Sequence, residues 1–406
     1  MIEPVNTGPG ERLAKLVAPL SPRAFFEQVW ERRSALLRAP GRSWDDLGVT
    51  LDAVRRAVDG AEVAARWVVT EGGDDLVTSA RAPVALPATG ESTLCVNNIE
   101  RVFPEIEALC QDLLSGLGLA SSALCNLYHS AEGHGFAGHF DTQAVFVVQI
   151  AGSKRWRFGL GPDVPWPPVG CAETERALAE FREENPSVPM AGPALSEEAL
   201  LEPGDVLYLP AGTWHRARAA EGTSLALAVT VLPANAWEII TKAIEPHLRA
   251  DLGWRRDVAA PLDVPADRLP EVVESHLLER VEALRRALAE LTTADLHRVW
   301  RLHRGGALRR PWQGVTVDED DVLVHAGGLA PGYLVQGESL RLLHAGCEVE
   351  LDAGAEPFAR ALAAHGRFRA GEAAGWDPEL AWEDVVDLLA TLLREGLLEL
   401  APSRQP

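Results

Sequence analysis

The hydrophobic pattern changes character along the chain, and each change predicts a different kind of element. Residues 21–36 (SPRAFFEQVWERRSAL) read as a helix, with Ser21 able to cap it and Pro22 at its first helical position. Residues 101–117 read as another, with Ile106, Leu109, Leu113 and Leu114 at helical spacing. From about 122 to 232 short apolar runs alternate with Gly and Pro: ALCNLYH, AVFVVQI, RWRFGL, DVLYLPAG and SLALAVTVL. Runs of this length between turn residues predict the strands of a barrel or sandwich. A Pro-rich stretch followed by a helical one interrupts them at 161–200. Loops of that size often carry function.

The pattern turns helical again from 236 to 303. Leu277, Val281, Leu284, Leu288 and Leu291 form an apolar seam beside Glu279, Arg280, Glu282, Arg285 and Arg286. This seam packs either on its own domain or against a second copy. Gly305–Gly306 marks a break. Short strand-like pieces and helices at 357–365 and 382–395 then suggest a small α+β domain that closes the chain. No internal repeat is visible.

Composition narrows the class. With 406 residues the chain is long enough for two to three domains. Its 47% hydrophobic and 24% charged content is that of a folded globular protein. Against 38 Lys and Arg stand 59 Asp and Glu, a net charge of −21. Such a surface repels phosphate backbones, so direct nucleic-acid binding is not expected, whereas a basic protein or peptide partner is. Residues 306–406 alone hold 8 basic and 17 acidic residues, which argues against a DNA-reading module. Five scattered cysteines without a CxxC pair suit a reducing compartment. The N-terminus lacks the order of a secretory signal, and no apolar run reaches the length of a membrane span. A cytoplasmic protein with no membrane contact is expected.

The candidate chemistry lies in GHFDTQAVFVVQI and LEPGDVLYLPAGTWHRARA. His139 and Asp141 are two apart at the start of a strand-like run, a spacing that puts both on one face. His215 follows a Gly–Asp turn, a strand and a Pro–Ala–Gly turn, as a return pass across the same barrel would place it. Two histidines and one carboxylate make the facial set of a non-haem iron site. The HxD pair alone is weak, because such pairs arise by chance. Lys154, after the turn Ala151–Gly152–Ser153, starts the neighbouring strand, with Trp156 and Phe158 repeating its facing. A cation directed into a barrel is costly unless an anion meets it. The alternative is a surface lysine beside Arg155 and Arg157.

These segments, NLYHSAEGHGFAGHFDTQAVFVVQIAGSKRWRFG and EPGDVLYLPAGTWHRA, resemble the JmjC-type, cupin-fold 2-oxoglutarate oxygenases, and within them the ribosomal oxygenase subgroup. The motif match covers about 126–232. The resemblance implies an α+β multidomain chain: a double-stranded β-helix (jelly-roll) catalytic domain with N-terminal helices at 1–235, a helical dimerisation region at 236–305, and a winged-helix-like domain at 306–406. It implies Fe(II) held by His139, Asp141 and His215, and 2-oxoglutarate held by Lys154, with O2 as co-reactant. Asn126 and Tyr128 fall where the family has polar contacts to cosubstrate or substrate, although a buried Asn bonded to backbone and a core Tyr would read the same. Ser224 is a further lining candidate. Gly138 and Thr142 depart from the Pro and Asp that relatives often carry. The implied activity is hydroxylation of a protein side chain, first an Arg or His of a ribosomal protein, by a homodimer. Tailoring of another peptide or a natural product, and a non-catalytic cupin scaffold, are the competing readings. His129 and His134 are expected in loops or at the entrance, and His325 and His344 to be structural.

Overall fold

The computed structural model describes residues 10–60, 63–71, 74–79, 92–118, 122–190, 192–232, 235–259, 270–303, 316–326, 330–344 and 347–401. The chain divides into two compact units, Met1–Pro233 and Ala234–Pro406.

In the first unit, helices α1 (Glu11–Val17) and α2 (Pro22–Gln28) precede strand β1 (Ala35–Leu37), and α3 (Leu51–Asp59) precedes β2 (Ala65–Glu71), β3 (Asp74–Ser79) and β4 (Thr93–Val96). Helix α4 (Pro104–Leu117) leads into β5 (Ala123–Ser130), β6 (Gly135–Phe140), β7 (Ala144–Ala151), β8 (Lys154–Phe158) and β9 (Cys171–Ala172). After α5 (Glu175–Glu184) come β10 (Glu197–Leu201), β11 (Val206–Leu209), β12 (His215–Ala219) and β13 (Ser224–Val231). One sheet has the order β1-β11-β7-β13-β5-β4-β2-β3 and the other β10-β8-β12-β6-β9. Successive strands cross between sheets, β5 to β6 and β7 to β8, which makes the double-stranded β-helix.

Strand alternation explains the composition of the barrel. In β7, Phe146 and Val148 face outward into a core with Leu13, Phe25, Leu109 and Leu113 of the helices. Val145 and Val147 face inward to Trp156, Phe158, Leu207 and Ala226. Both faces are covered, so the strand reads as a continuous apolar run. The turn from β7 to β8 requires Gly152: φ is 62°, and a Cβ there would collide with the Thr223 carbonyl.

Ser21 caps α2 as expected, its Oγ accepting from the Ala24 N–H at 3.1 Å. The helix does not run to 36. It ends at Gln28, Glu31 takes a left-handed φ of 58°, and Ala35–Leu37 pairs with β11 instead. Tertiary packing overrides helix propensity here: Trp30 lies against Phe146 and Tyr208, and β1 joins the large sheet as an edge strand beside β11. The 161–200 segment is partly regular, since β9 and β10 form the two edges of the small sheet around α5.

The second unit begins with α6 (Ala236–Ala250), α7 (Glu271–Glu290) and α8 (Thr293–His303). Strands β14 (Val322–His325), β15 (Gly332–Gln336), β16 (Ser339–His344) and β17 (Cys347–Asp352) precede α9 (Glu356–Ala364), β18 (Arg367–Arg369), α10 (Ala370–Ala373), α11 (Trp382–Arg394) and β19 (Leu398–Leu400). Two three-stranded sheets, β18-β14-β19 and β15-β16-β17, share a core of Leu323, Leu340, Phe358, Leu389 and Leu393 with the helices. The break expected at Gly305–Gly306 lies outside the described residues. On α7 only Val273 and Ala287 are buried, and Leu277, Val281 and Leu288 of the seam are exposed. No described helix is long and apolar enough to cross a membrane.

Candidate active site

His139, Asp141 and His215 converge, with one ligand atom of each lying within 4.8 Å of the others. His215 opens β12 and sits directly opposite His139 of β6, their ring centroids 4.3 Å apart. Asp141 Oδ2 lies 3.8 Å from His139 Nε2 and 3.7 Å from His215 Nε2. The sequence expectation that the HxD pair opens a strand needs correction. The pair closes β6, with Asp141 the first residue beyond it, and β7 starts only at Ala144.

Strand alternation alone does not align the three. Ala217 pairs with Phe136 and His215 with His139, so β6 uses one more residue than β12. The extra residue is a β-bulge at Ala137–Gly138, a device that re-aims the side chain that follows it. Gly138 leaves room for Glu173, whose Cβ would stand 2.8 Å from a Cβ at 138, and the Glu173 N–H donates to the Gly138 carbonyl at 2.7 Å. Asp141 is held from the other side, where the Gly212 N–H donates to its carbonyl at 2.8 Å. Gly212 has φ 76° and packs against the Val164 carbonyl, where no Cβ would fit. The Pro–Ala–Gly turn thus ties the distal histidine to the HxD end.

Both imidazoles are oriented from behind. His139 Nδ1 lies 2.8 Å from the Ala137 carbonyl and His215 Nδ1 2.9 Å from the Thr213 carbonyl. A carbonyl only accepts, so each Nδ1 carries a proton and each Nε2 is the nitrogen turned to the site. Burial, and next the neighbouring His139, push the His215 pKa down to about 4, which keeps that ring neutral at physiological pH. Trp156 stacks on His215 with centroids 6.0 Å apart and planes at 28°.

Deeper in the barrel, Lys154 is buried, on the same face of β8 as Trp156 and Phe158. Its Nζ donates to Ser130 Oγ at 3.0 Å, lies 5.7 Å from the Tyr128 ring centre, and makes no ion pair among the described residues. Burial pushes its pKa down to about 8. Thr93 Oγ1 extends the chain, 3.0 Å from Ser130 Oγ. Asn126 Oδ1 accepts from the Asn98 N–H at 3.1 Å, so its amide nitrogen remains a donor. Burial first, then Cys95, holds the Tyr128 hydroxyl in its protonated form. Ser224 is buried opposite Ser130, its Oγ 2.9 Å from Gln149 Nε2.

The structure therefore brings His139, Asp141, His215, Lys154, Asn126, Tyr128 and Ser224 to one barrel. Sequence reasoning missed Ser130, Thr93, Gln149 and the contact of Trp156 with His215. A glutamine inside AVFVVQI was the one available signal, since a polar residue on an inward position needs a partner. His129 is not in a loop: it lies within β5, is buried, and has its pKa lowered by burial and by Lys154. His325 is structural, its Nε2 2.8 Å from the Leu362 carbonyl.

Residues 101–239 match the family model of the JmjC domain. The chain carries a JmjC domain. The curated proteins similar to it include ribosomal oxygenases 1 and 2, in line with the resemblance read from the motifs. Human ribosomal oxygenase 1 is 28% identical over 248 residues, 57% of this chain and 36% of that protein. Chicken ribosomal oxygenase 1 is 27% identical over 302 residues, 69% of this chain and 48% of that protein. The chain thus spans between a third and a half of the length of such relatives. Among solved structures, Escherichia coli YcfD superposes with a TM-score of 0.59 at 21% identity, over 94% of this chain and 98% of that one. Another YcfD structure, described as a ribosomal oxygenase in complex with cobalt and 2-oxoglutarate, has a TM-score of 0.58 at the same identity. At that identity the likeness establishes the fold around the JmjC domain.

Proposed function

We propose that this protein is an Fe(II)- and 2-oxoglutarate-dependent hydroxylase acting on a side chain of a basic ribosomal protein, an Arg or a His. One observation carries the reading: two imidazoles and a carboxylate converge at a barrel whose interior holds a buried ammonium with no ion pair among the described residues. The donor set fits a non-haem iron centre, which takes two histidines and one carboxylate and keeps positions open. It does not fit a structural zinc site, which is closed and thiol-rich.

His139, Asp141 and His215 would hold the metal. Bound there with 2-oxoglutarate, iron supplies the oxidation itself: R–H, 2-oxoglutarate and O2 give R–OH, succinate and CO2. The chain's own residues prepare that reaction. Lys154 pairs with the distal carboxylate of the cosubstrate, and Tyr128 and the Asn126 amide are donors toward the same space. Ser224 and Gln149 brace the wall. Trp156 and Phe158 exclude water from the histidine side. Side-chain exposure of 38% at Asp141 against 9% at His215 points to substrate entry from the Asp141 side.

The acidic surface favours a basic partner by steering and gives no support to nucleic-acid binding. The exposed α7 seam suits a homodimer, the last hundred residues suit a winged-helix-like domain, and a cytoplasmic location suits a ribosomal substrate. The test is mass spectrometry of ribosomal proteins from a strain lacking this gene, complemented by wild type or His139→Ala. An oxygen-atom mass gain restored by wild type alone supports the assignment. The same modification in all strains refutes the ribosomal target.

A further inference from the structure

The bulge that aims His139 exposes one backbone N–H, at Ala137, to no strand partner. That N–H is met by Asp75 of β3, whose Oδ1 and Oδ2 lie 3.1 and 3.2 Å from it. The carbonyl of Ala137 in turn accepts from His139 Nδ1 at 2.8 Å. Asp75 is itself fixed by Thr70 Oγ1 of β2 at 2.6 Å, and the same hydroxyl lies 3.4 Å from the Gly135 carbonyl at the start of β6. A carboxylate accepting from a backbone N–H makes a charge-assisted bond. Here it holds the residue whose own carbonyl sets the tautomer and tilt of an imidazole.

We infer that Asp75 is a positioning residue for the metal centre, acting on His139 through the backbone of Ala137. The inference rests on the reading of His139 as a metal ligand. It assigns a role to the β2–β3 hairpin, which lies outside the segments that carry the family motifs. The hairpin clamps the bulge, and the clamp keeps His139 Nε2 aimed at Asp141 Oδ2 and His215. Ordinarily a carboxylate orients a metal-binding imidazole by direct contact. Here the backbone of Ala137 stands between them.

The experiment compares wild type with Asp75→Ala, Asp75→Asn and Thr70→Val, measuring two quantities on the full chain. The first is hydrogen exchange at the Ala137 amide in metal-free protein. The second is Co(II) affinity by titration, with thermal melting as the check on folding. The expected result is faster Ala137 exchange in all three variants, with Co(II) binding about 10–100-fold weaker in Asp75→Ala. Asp75→Asn, which keeps one acceptor and loses the charge, falls between, and Thr70→Val shifts both in the same direction by less. Should Asp75→Ala not fold, the Asn and Val variants carry the comparison. Folded variants with Ala137 exchange and Co(II) affinity indistinguishable from wild type overturn the inference. Wild type that binds no Co(II) overturns the proposed metal centre instead, and faster exchange in the metal-free variants would then still support the clamp.

Discussion

Lys154 Nζ lies 3.0 Å from Ser130 Oγ, inside the barrel, with no carboxylate of the described residues paired to it. Burial lowers the lysine pKa to about 8. Its folded value is therefore below its unfolded one, and the unfolded chain binds more protons between about pH 8 and the ordinary lysine range. The cost of the buried charge is present in full below pH 8 and is relieved as pH rises through that window, by about 3 kcal/mol. Binding of a dicarboxylate has the opposite sign, because it needs the ammonium. KM for 2-oxoglutarate should rise as pH passes about 8 in wild type, and this inflection should vanish in Lys154→Arg, whose guanidinium stays charged. A KM flat across that window in wild type would remove Lys154 from the cosubstrate site.

Ser130 accepts from Lys154 and bonds Thr93, so Ser130→Ala removes the short hydrogen bond that holds the ammonium among the described residues. A hydrogen bond to a charged group is worth about 1.5–3 kcal/mol, so KM for 2-oxoglutarate should rise by roughly tenfold or more. Steady-state kinetics with saturating Fe(II) measure it. The effect should fall on KM rather than on metal affinity, since the serine lies at the lysine end of the pocket.

Trp156 presents its face to His215 and fills the inner core. Trp156→Ala should cost about 3–5 kcal/mol in urea denaturation. Trp156→Phe keeps an aromatic face against the imidazole and should retain most of the Co(II) affinity. Equal loss in both variants would mean that the indole acts on His215 through more than stacking.

Two glycines with left-handed backbones should respond differently to alanine. At Gly133 (φ 75°) no atom lies within 4 Å of an added Cβ, so only the backbone preference is lost, about 1–2 kcal/mol. At Gly152 the same preference is lost and the methyl also meets the Thr223 carbonyl. Denaturation midpoints should therefore order wild type above Gly133→Ala above Gly152→Ala.

The sequence made the metal triad legible because His139 and Asp141 stand two apart and His215 follows a Gly–Asp turn, a strand and a Pro–Ala–Gly turn. Lys154 was readable for a similar reason, since a two-residue alternation with Trp156 and Phe158 fixed its facing. The bulge at Ala137–Gly138 was not readable. An extra residue leaves no mark on composition, and neither did the break at 141–143 that makes the HxD pair close β6 rather than open a strand. The Ser130–Thr93 contact and the Asp75 clamp were hidden too, because they join segments far apart in the chain through side chains that are ordinary in isolation. The early end of α2 was missed because the large sheet's need for an edge strand at Ala35–Leu37 outweighs a helical pattern.

The α7 seam gives a prediction about assembly. Leu277, Val281 and Leu288 stay exposed on a 20-residue helix, and a row of this kind on one face marks an interaction surface. Leu284→Glu should convert the proposed homodimer to monomer in light scattering. An unchanged mass would exclude this face as the contact.

The central claim, that His139, Asp141 and His215 build an iron centre for oxidation with 2-oxoglutarate, is tested most directly by succinate formation. Purified wild type supplied with Fe(II), O2, 2-oxoglutarate and ribosomal protein should form succinate. His139→Ala of equal stability should fall by roughly 100-fold or more, a loss of about 2.7 kcal/mol in transition-state stabilisation. Equal succinate formation by the two proteins would contradict the account.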